Sequence, residues 1–331
     1  MTSLTNEMKI SKLKFLKITI MNVIIFTFIF VSLKSSHANS LPDIKLLNIV
    51  NCYSDRQQFA RPMGIFFEQK KNEVFLADTE NHQISIFDLK GTEVWSFKHW
   101  VHDSKLEMRC PGNPQSIVVN SAGDILVSFN NADYIVVFDY LGVEKVKIAP
   151  SEYDEISSFR AAALAIDSND NLYIGIKIIK SEIIKLDKDF NLILKFGEKG
   201  EANNQFSAIS GLWIDSSGKI YVTDLFAIPV LKIFDSQGNY LNGFGGHTEE
   251  KMDFSFPAGI VTTKDGKIWI VDSIRQVVKC LNEEGDFLTM IGGFGYKPGD
   301  MAYPSSVATD GDSLIIVAEK SGNRFQSFII K

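Results

Sequence analysis

Histidines and cysteines are the side chains of this sequence that would most readily bind a metal or act as nucleophiles. The chain has five histidines and three cysteines, and a zinc site needs several such ligands that converge. His99 and His102 lie three residues apart beside Asp103, whereas His82 and His247 are far apart in the chain. The sequence contains no Gly-x-Ser-x-Gly elbow, phosphate-binding loop or zinc-ligand spacing. We therefore predict no metal centre and no catalytic residue, and we expect the two close histidines to lie in a solvated loop.

Aspartates that end short apolar runs form a second polar group. Asp78, Asp224 and Asp272 each follow aliphatic and aromatic residues. A carboxylate at the end of a strand commonly accepts hydrogen bonds from nearby backbone N–H groups and fixes a turn, so we expect mainly structural roles here. Three further aspartates precede a glycine by three residues, a pattern typical of hairpin turns. These are Asp88, Asp139 and Asp235.

Residues 1–38 have the pattern of a secretory signal peptide. Four lysines between positions 9 and 17 precede a 16-residue apolar run from Ile18 to Leu33, and Ser36-His37-Ala38 then offers small residues before a cleavage site. The run is shorter than the roughly 18 residues expected of a transmembrane helix. We predict cleavage and a periplasmic or secreted location. An uncleaved anchor, which would be the only membrane contact, is the alternative.

The charge of the chain restricts its partners. The 331 residues are 45% hydrophobic and 22% charged, with a formal net charge of −6. The first 38 residues hold five lysines and one glutamate, so the remainder has 29 basic and 39 acidic residues and a net charge of −10. Nucleic acids and anionic lipid surfaces attract basic proteins, so we predict neither as a partner.

Two sequence phrases repeat in phase along the chain. The first ends a strand-like run and recurs with steps of 51, 48, 48, 47 and 47 residues at Asp88, Asp139, Asp187, Asp235, Asn282 and Ile329. The second places a small residue before an aliphatic run and recurs with steps of 52, 47, 48, 48 and 47 residues at Ile65, Ile117, Leu164, Leu212, Ile260 and Val307. Six units of about 48 residues fill the chain after the signal peptide, so residues 39–331 are predicted to form one domain.

Each unit has the pattern of four short strands. In the fourth unit, apolar runs of four to six residues begin at Gly211, Ile220, Val230 and Tyr240, with turn residues between them. Six four-stranded antiparallel units predict an all-β, six-bladed β-propeller. The last unit ends after its third strand, so Ile44–Val50 is predicted to complete it as the fourth strand. Deleting residues 41–50 should therefore unfold the domain.

Three units resemble the NHL repeat. The first carries Pro62-Met63-Gly64-Ile65, Val74-Phe75-Leu76-Ala77-Asp78 and Asn81-His82-Gln83-Ile84; the fourth carries Ile220-Tyr221-Val222-Thr223-Asp224; the fifth carries Phe256-Pro257-Ala258-Gly259-Ile260 and Ile268-Trp269-Ile270-Val271-Asp272. The others depart from the aspartate motif, with Ser128-Phe129, Gly175-Ile176 and Ala318-Glu319 in its place. The resemblance covers residues 41–331 and implies a six-bladed fold. It does not fix an activity, because NHL propellers include binding modules and enzymes.

The resemblance also implies that the loops between second and third strands meet the blade-to-blade connections on one face. Carboxylates, arginines and amides around an axial funnel are suited to a polar or charged ligand. The candidate ligand-binding residues are Asp78, Asn81, His82, Asp224, Asp272, Arg275, Glu319 and Arg324.

From these patterns we predict an exported, monomeric and non-catalytic binding or scaffold module that recognises a protein, peptide or glycan on this face. The alternative is a metal-dependent lyase or hydrolase that uses zinc or calcium. It resembles the peptidyl-hydroxyglycine amidating lyases, whose similar propeller binds zinc through three histidines. His82 is similar to one of them, but Gln115, Ala258 and Ser305 stand after the prolines where the others would be expected.

The cysteines predict one disulfide. Cys52 and Cys110 lie in equivalent connections before the first and second blades, and an exported protein can oxidise them. Cys280 lies in a strand and is expected to pack as a small apolar residue.

Overall fold

A computed structural model describes residues 43–103, 105–150, 153, 159–176 and 181–331. The predicted signal peptide at residues 1–38 lies outside the described residues. The described part forms six four-stranded antiparallel sheets and one two-stranded sheet. None of these residues belongs to a helix that could cross a lipid bilayer. The prediction of an all-β, six-bladed propeller is confirmed.

The first five blades are each built from four consecutive strands. Blade 1 contains β2 (Pro62–Glu68), β3 (Glu73–Asp78), β4 (Gln83–Asp88) and β5 (Glu93–Lys98). Blade 2 contains β8 (Pro114–Val119), β9 (Ile125–Phe129), β10 (Ile135–Phe138) and β11 (Glu144–Ile148). Blade 3 contains β12 (Ala161–Ile166), β13 (Leu172–Ile176), β14 (Ile183–Leu186) and β15 (Leu192–Phe196). Blade 4 contains β16 (Ile209–Ile214), β17 (Ile220–Asp224), β18 (Leu231–Phe234) and β19 (Tyr240–Phe244). Blade 5 contains β20 (Pro257–Thr262), β21 (Ile268–Asp272), β22 (Val277–Leu281) and β23 (Phe287–Gly292).

Blade 6 joins the two ends of the propeller. It contains β24 (Pro304–Thr309), β25 (Leu314–Glu319), β26 (Arg324–Ile330) and, as its outer strand, β1 (Ile44–Val50). β1 pairs antiparallel with β26, with Ile44 opposite Ile330 and Val50 opposite Phe325. The predicted closure is therefore confirmed, while the effect of deleting residues 41–50 stays a prediction.

One connection between blades contains an additional hairpin. β6 (Trp100–Asp103) pairs with β7 (Met108–Pro111) between blades 1 and 2. The expectation of a solvated loop around His99 and His102 is thus wrong. Val101 is fully buried in the core between these blades, and the Asp103 carboxylate accepts turn hydrogen bonds from the N–H groups of residues 105 and 106. Apolar burial and a local turn together order the segment.

The hydrophobic core lies between neighbouring blades. The second and third strands of the blades are almost wholly buried, whereas the residues of the outer strands are mostly half-buried or exposed. Phe206 and Phe234, both fully buried, pack with ring centroids 5.6 Å apart, and Phe196 joins them. Burying such a side chain contributes on the order of 1.5–3 kcal/mol. Phe206 thus holds the connection before blade 4 against the core.

Glycines allow the inner strands to approach one another closely. A Cβ atom on Gly211 would lie 2.2 Å from the carbonyl oxygen of Ala258 in the next blade, and one on Gly64 would lie 2.5 Å from the carbonyl oxygen of Gln115. These distances leave no room for a side chain. The width of the ring at its axis is therefore set by backbone contacts.

Candidate functional site

The longer loops among the described residues lie at one end of the propeller. In antiparallel blades, the loops between second and third strands emerge at the same end as the connections to the next blade. Backbone hydrogen bonds join them: the N–H of Leu225 donates to Ala208, that of Ser273 to Phe256 and that of Lys320 to Tyr303, at 2.9–3.0 Å. We call this end the loop face, and the end with the short hairpin turns the turn face.

Four carboxylates at the loop face are fully buried. They close the second strands of blades 1, 4, 5 and 6, and they are Asp78, Asp224, Asp272 and Glu319. The Asp224 carboxylate accepts hydrogen bonds from the N–H groups of Ser207 at 2.7 Å and Ala208 at 2.8 Å. Both donors belong to the connection that arrives from the preceding blade. The carboxylate therefore fastens one blade to its predecessor.

Asp272 makes the same kind of clamp in blade 5. Its carboxylate accepts hydrogen bonds from the N–H groups of Ser255 at 3.0 Å and Phe256 at 3.1 Å. Two cations lie beside it, with Arg275 Nε at 3.6 Å and Lys279 Nζ at 3.7 Å. Arg275 also donates to backbone carbonyls of the connection before β20. This arginine is consequently held by the chain itself.

Glu319 and Arg324 form the equivalent group in blade 6. Arg324 Nε donates to Glu319 Oε1 at 2.7 Å, and the Glu319 carboxylate also accepts the N–H of Ala302 at 2.8 Å. The other Arg324 nitrogens donate to the carbonyls of Tyr296 and Asp300, both at 2.7 Å. Like Arg275, Arg324 therefore donates its hydrogen bonds to groups of its own chain.

Asp78, Asn81 and His82 lie together in blade 1. The Asp78 carboxylate accepts hydrogen bonds from the hydroxyl of Tyr53 at 2.5 Å, from Asn81 Nδ2 at 2.7 Å and from the N–H of Ala60 at 2.8 Å. Burial raises the pKa of the Asp78 carboxyl and of the Tyr53 hydroxyl. His82 adopts a φ of 58° in the turn, and its Nδ1 is buried without a hydrogen-bond partner among the described residues.

The expected structural role of the strand-end aspartates thus agrees with their contacts. The structure brings the eight candidate residues to one face, but in four separate blades and mostly in bonds with their own backbone. Throughout the described ranges, no three or more His, Cys, Asp or Glu residues are close enough to hold a metal ion. The His99 ring packs against Phe129 and Phe138, and burial lowers its pKa.

Sequence reasoning missed three buried polar side chains in the third strands. Lys232 Nζ donates to the carbonyl of Ala202 at 3.1 Å, Lys279 Nζ donates to that of Asp253, and Gln326 Nε2 donates to that of Asp300 at 2.7 Å. Each side chain fills the connection that precedes its own blade. Their spacing of 47 residues was a usable signal, because it places a long polar side chain at one register of three successive repeats.

A cavity of about 670 Å³ runs along the axis. The second residue of each inner strand lines it, and this ring consists of Met63, Gln115, Ala162, Ser210, Ala258 and Ser305. Small and uncharged side chains predominate in the ring. The Ser305 hydroxyl donates to the carbonyl of Pro62 at 2.8 Å and so joins blades 6 and 1. These residues suit close packing better than coordination.

Apolar side chains are exposed on the loop face of blades 4, 5 and 6. Phe226 is 69% exposed and Phe294 is 76% exposed, although side chains of this size normally lie in a core. We call this set the apolar arc, and its members are Phe226, Ile228, Ile274, Phe294, Tyr296 and Tyr303. No sequence pattern set these residues apart from the core aromatics.

All three cysteines are free thiols in the structure. Cys110 lies in β7, where its sulfur accepts a hydrogen bond from Asn131 Nδ2 at 3.2 Å, and Cys280 is buried as expected. The Cys52–Cys110 bond stays a prediction.

No protein-family model and no curated protein sequence matches the chain. Solved structures of the same architecture do match. A catalytically inactive histidine-to-alanine variant of virginiamycin B lyase from Staphylococcus aureus with quinupristin has a TM-score of 0.57 and 12% identity, covering 87% of this chain and 99% of that one. A gluconolactonase from Xanthomonas campestris has a TM-score of 0.60 and 11% identity, and the match covers 89% of this chain and 96% of that one. The PQQ-bound aldose sugar dehydrogenase from Streptomyces coelicolor has a TM-score of 0.56 and 12% identity, and the match covers 88% of this chain and 98% of that one. At this identity, the similarity establishes the fold.

Proposed function

We propose that the chain is an exported, NHL-type binding module that holds a protein or peptide segment on its loop face without catalysing a reaction. The observation that carries this proposal is the apolar arc. Exposed apolar patches on a folded surface commonly mark a binding site, and six large apolar side chains are exposed on this face. Aromatic residues are also enriched where proteins bind one another.

A peptide is favoured over a glycan by the composition of the arc. Ile228 and Ile274 are 68% and 55% exposed beside the aromatic members. Branched aliphatic side chains bury apolar surface but make no hydrogen bonds to sugar hydroxyls. The net charge of −10 after residue 38 argues against a nucleic-acid ligand.

The alternative of a metal-dependent lyase or hydrolase receives less support. The carboxylates and arginines on the loop face are already engaged with the backbone, as described above. His82 and His99 each have a buried ring nitrogen without a hydrogen-bond partner among the described residues, and a zinc site would need more ligands beside either of them.

The binding proposal is tested by selecting a random peptide library on the purified full chain. We expect selected peptides to be rich in apolar residues. The double variant Phe226→Ser/Phe294→Ser should bind them at least about tenfold more weakly, because each ring loses its apolar contact. Its melting temperature should match that of the parent, since both side chains are exposed.

The matched control is Leu141→Ser/Leu241→Ser, which removes side chains that are 61% and 51% exposed away from the loop face. This variant should bind as the parent does. Equal binding by the arc variant, or failure to select any peptide, would refute the proposal.

Metal removal separates the binding module from the enzyme. We expect dialysis against a chelator to leave peptide binding unchanged. Stoichiometric zinc or calcium in the purified protein, lost in His82→Ala, would instead favour the metal-dependent alternative.

A further inference from the structure

Lys320 lies at the loop-face mouth of the axial cavity. It follows β25 directly and lines the cavity. Its Nζ lies 5.7 Å from the ring centroid of Phe256 and 5.8 Å from that of Tyr303. Within the part of the chain that the structure describes, no carboxylate lies within ion-pair distance of this ammonium group, and it donates no hydrogen bond. Lys320 therefore lies near two aromatic rings and has no carboxylate partner among the described residues.

The surroundings of Lys320 disfavour its charge in the free protein. Partial burial lowers the pKa of its amine, and the positive charge of Arg61 lowers it further. An anionic ligand would offset both effects, because a nearby opposite charge favours the ionised form.

Ser273 supplies an independent indication at the same mouth. It occupies in blade 5 the position of Lys320 in blade 6, and it lines the same cavity. Its side chain is 1% exposed, and its hydroxyl has no hydrogen-bond partner in the described residues. Its N–H donates to the carbonyl of Phe256, the residue over whose ring Lys320 lies. A buried hydroxyl without a partner is costly unless a ligand or water satisfies it.

We infer that Lys320 and Ser273 form a subsite for a carboxylate attached to an apolar group, and specifically for the C-terminal carboxylate of a peptide that ends in an apolar residue. This inference rests on the proposed function, because the rest of the peptide would lie on the apolar arc. The inner strands of all six blades line the cavity, and Lys320 and Ser273 lie at its loop-face end. The cavity of about 670 Å³ has room for a terminal side chain.

The subsite is tested with hydrocinnamate, an aromatic carboxylate, and its neutral amide hydrocinnamide, in NMR titrations of the full chain. We expect the carboxylate to bind about tenfold more tightly than the amide, as one charge-assisted hydrogen bond allows. Lys320→Met should abolish this difference while retaining the length of the side chain. Ser273→Ala should reduce it.

The matched control is Lys297→Met, which removes an exposed lysine from the connection beside the arc. It should leave the preference for the carboxylate intact. As a second readout, acetylation of Lys320 followed by mass spectrometry should be slowed by hydrocinnamate but not by the amide. Equal affinity for acid and amide, a preference that survives Lys320→Met, or no binding of either probe would overturn the inference.

Short peptides distinguish a terminal carboxylate from an acidic side chain. Acetyl-Ala-Ala-Phe with a free C-terminus should bind more tightly than its amide, whereas acetyl-Ala-Glu-Phe-amide should gain nothing from its glutamate. The opposite order would refute the assignment to a chain end. Library peptides that need the arc but not a free C-terminus would refute the subsite and leave the proposed function standing.

Discussion

The two faces of the propeller use aspartate at strand ends in opposite ways. On the turn face, the Asp235 carboxylate accepts the N–H groups of Gln237 and Asn239 in its own turn, both at 2.9 Å, and it remains in contact with water. On the loop face, Asp272 is fully buried and accepts the N–H groups of Ser255 and Phe256, 17 and 16 residues earlier. One carboxylate fixes a turn, and the other fixes a blade to its neighbour.

The difference shows that similar sequence phrases can serve local and tertiary structure in one repeat. A turn-face aspartate needs only residues within four positions, so its role follows from the Asp-x-x-Gly spacing. A loop-face aspartate needs a connection from the preceding unit. Its role therefore depends on the assembled ring.

The largest expected effect comes from removing a loop-face carboxylate. Asp272→Ala leaves Arg275 and Lys279 without their buried counter-charge and frees two backbone donors. We expect the free energy of unfolding to fall by about 3–5 kcal/mol, measured by urea denaturation. Asp235→Ala is the turn-face counterpart and should shift the urea midpoint far less. Equal shifts for both variants would show that the faces do not differ in this way.

An intermediate effect is expected in the pH dependence of stability. Burial raises the pKa of Asp78, so the folded state holds this proton more tightly than the unfolded chain does. The contribution of Asp78 to stability should then fall as the pH rises from about 4 through the raised pKa. Asp78→Asn should accordingly lose the most stability relative to the parent in acid, and this loss in the free energy of unfolding should shrink toward neutral pH.

Asp235→Asn should have the opposite dependence. Hydrogen bonds from Asn239 lower the pKa of Asp235, so its contribution is present above the ordinary pKa and is lost as the pH falls through the lowered one. Urea denaturation of both variants across this pH range checks the two signs. If the stability losses of the two variants changed with pH in the same direction, the opposite roles of Asp78 and Asp235 would be contradicted.

The smallest effect concerns thiol reactivity and leaves stability untouched. Burial raises the pKa of the Cys280 thiol to about 12, so it should react with a thiol reagent only after unfolding. Cys52 and Cys110 lie in partly exposed connections at the loop face and should react in the reduced native protein. Mass mapping without reduction tests their predicted disulfide, and native labelling of Cys280 would show that the core of blade 5 opens.

The fold was predictable from the sequence because both repeat phrases depend on local chemistry. Turn aspartates, glycines and apolar runs recur at one spacing, and the unpaired run Ile44–Val50 identified the closing strand. The hairpin at Trp100–Pro111 was missed, since the burial of Val101 depends on two neighbouring blades.

The site was less predictable. The sequence predicted that Asp78, Arg275 and Glu319 share one face, and they do lie on the loop face. Residue type does not reveal whether such a polar group points toward a ligand or toward its own backbone. The exposure of Phe226 and Phe294 could not be predicted either, because the residue type is the same for an exposed aromatic side chain in a loop and a buried one in a strand. Both properties arise only when the connections fold over the blades.

The pairing of β1 with β26 has a consequence for how the protein is made. The first strand of the propeller leaves the ribosome long before its partner, because β26 is the last strand of the chain. The ring therefore cannot close before β26 has been synthesised, and domains with such distant pairings fold slowly. Blades 1 to 5 pair only their own consecutive strands, so blade 6 is the one blade that has to wait for both ends of the described chain.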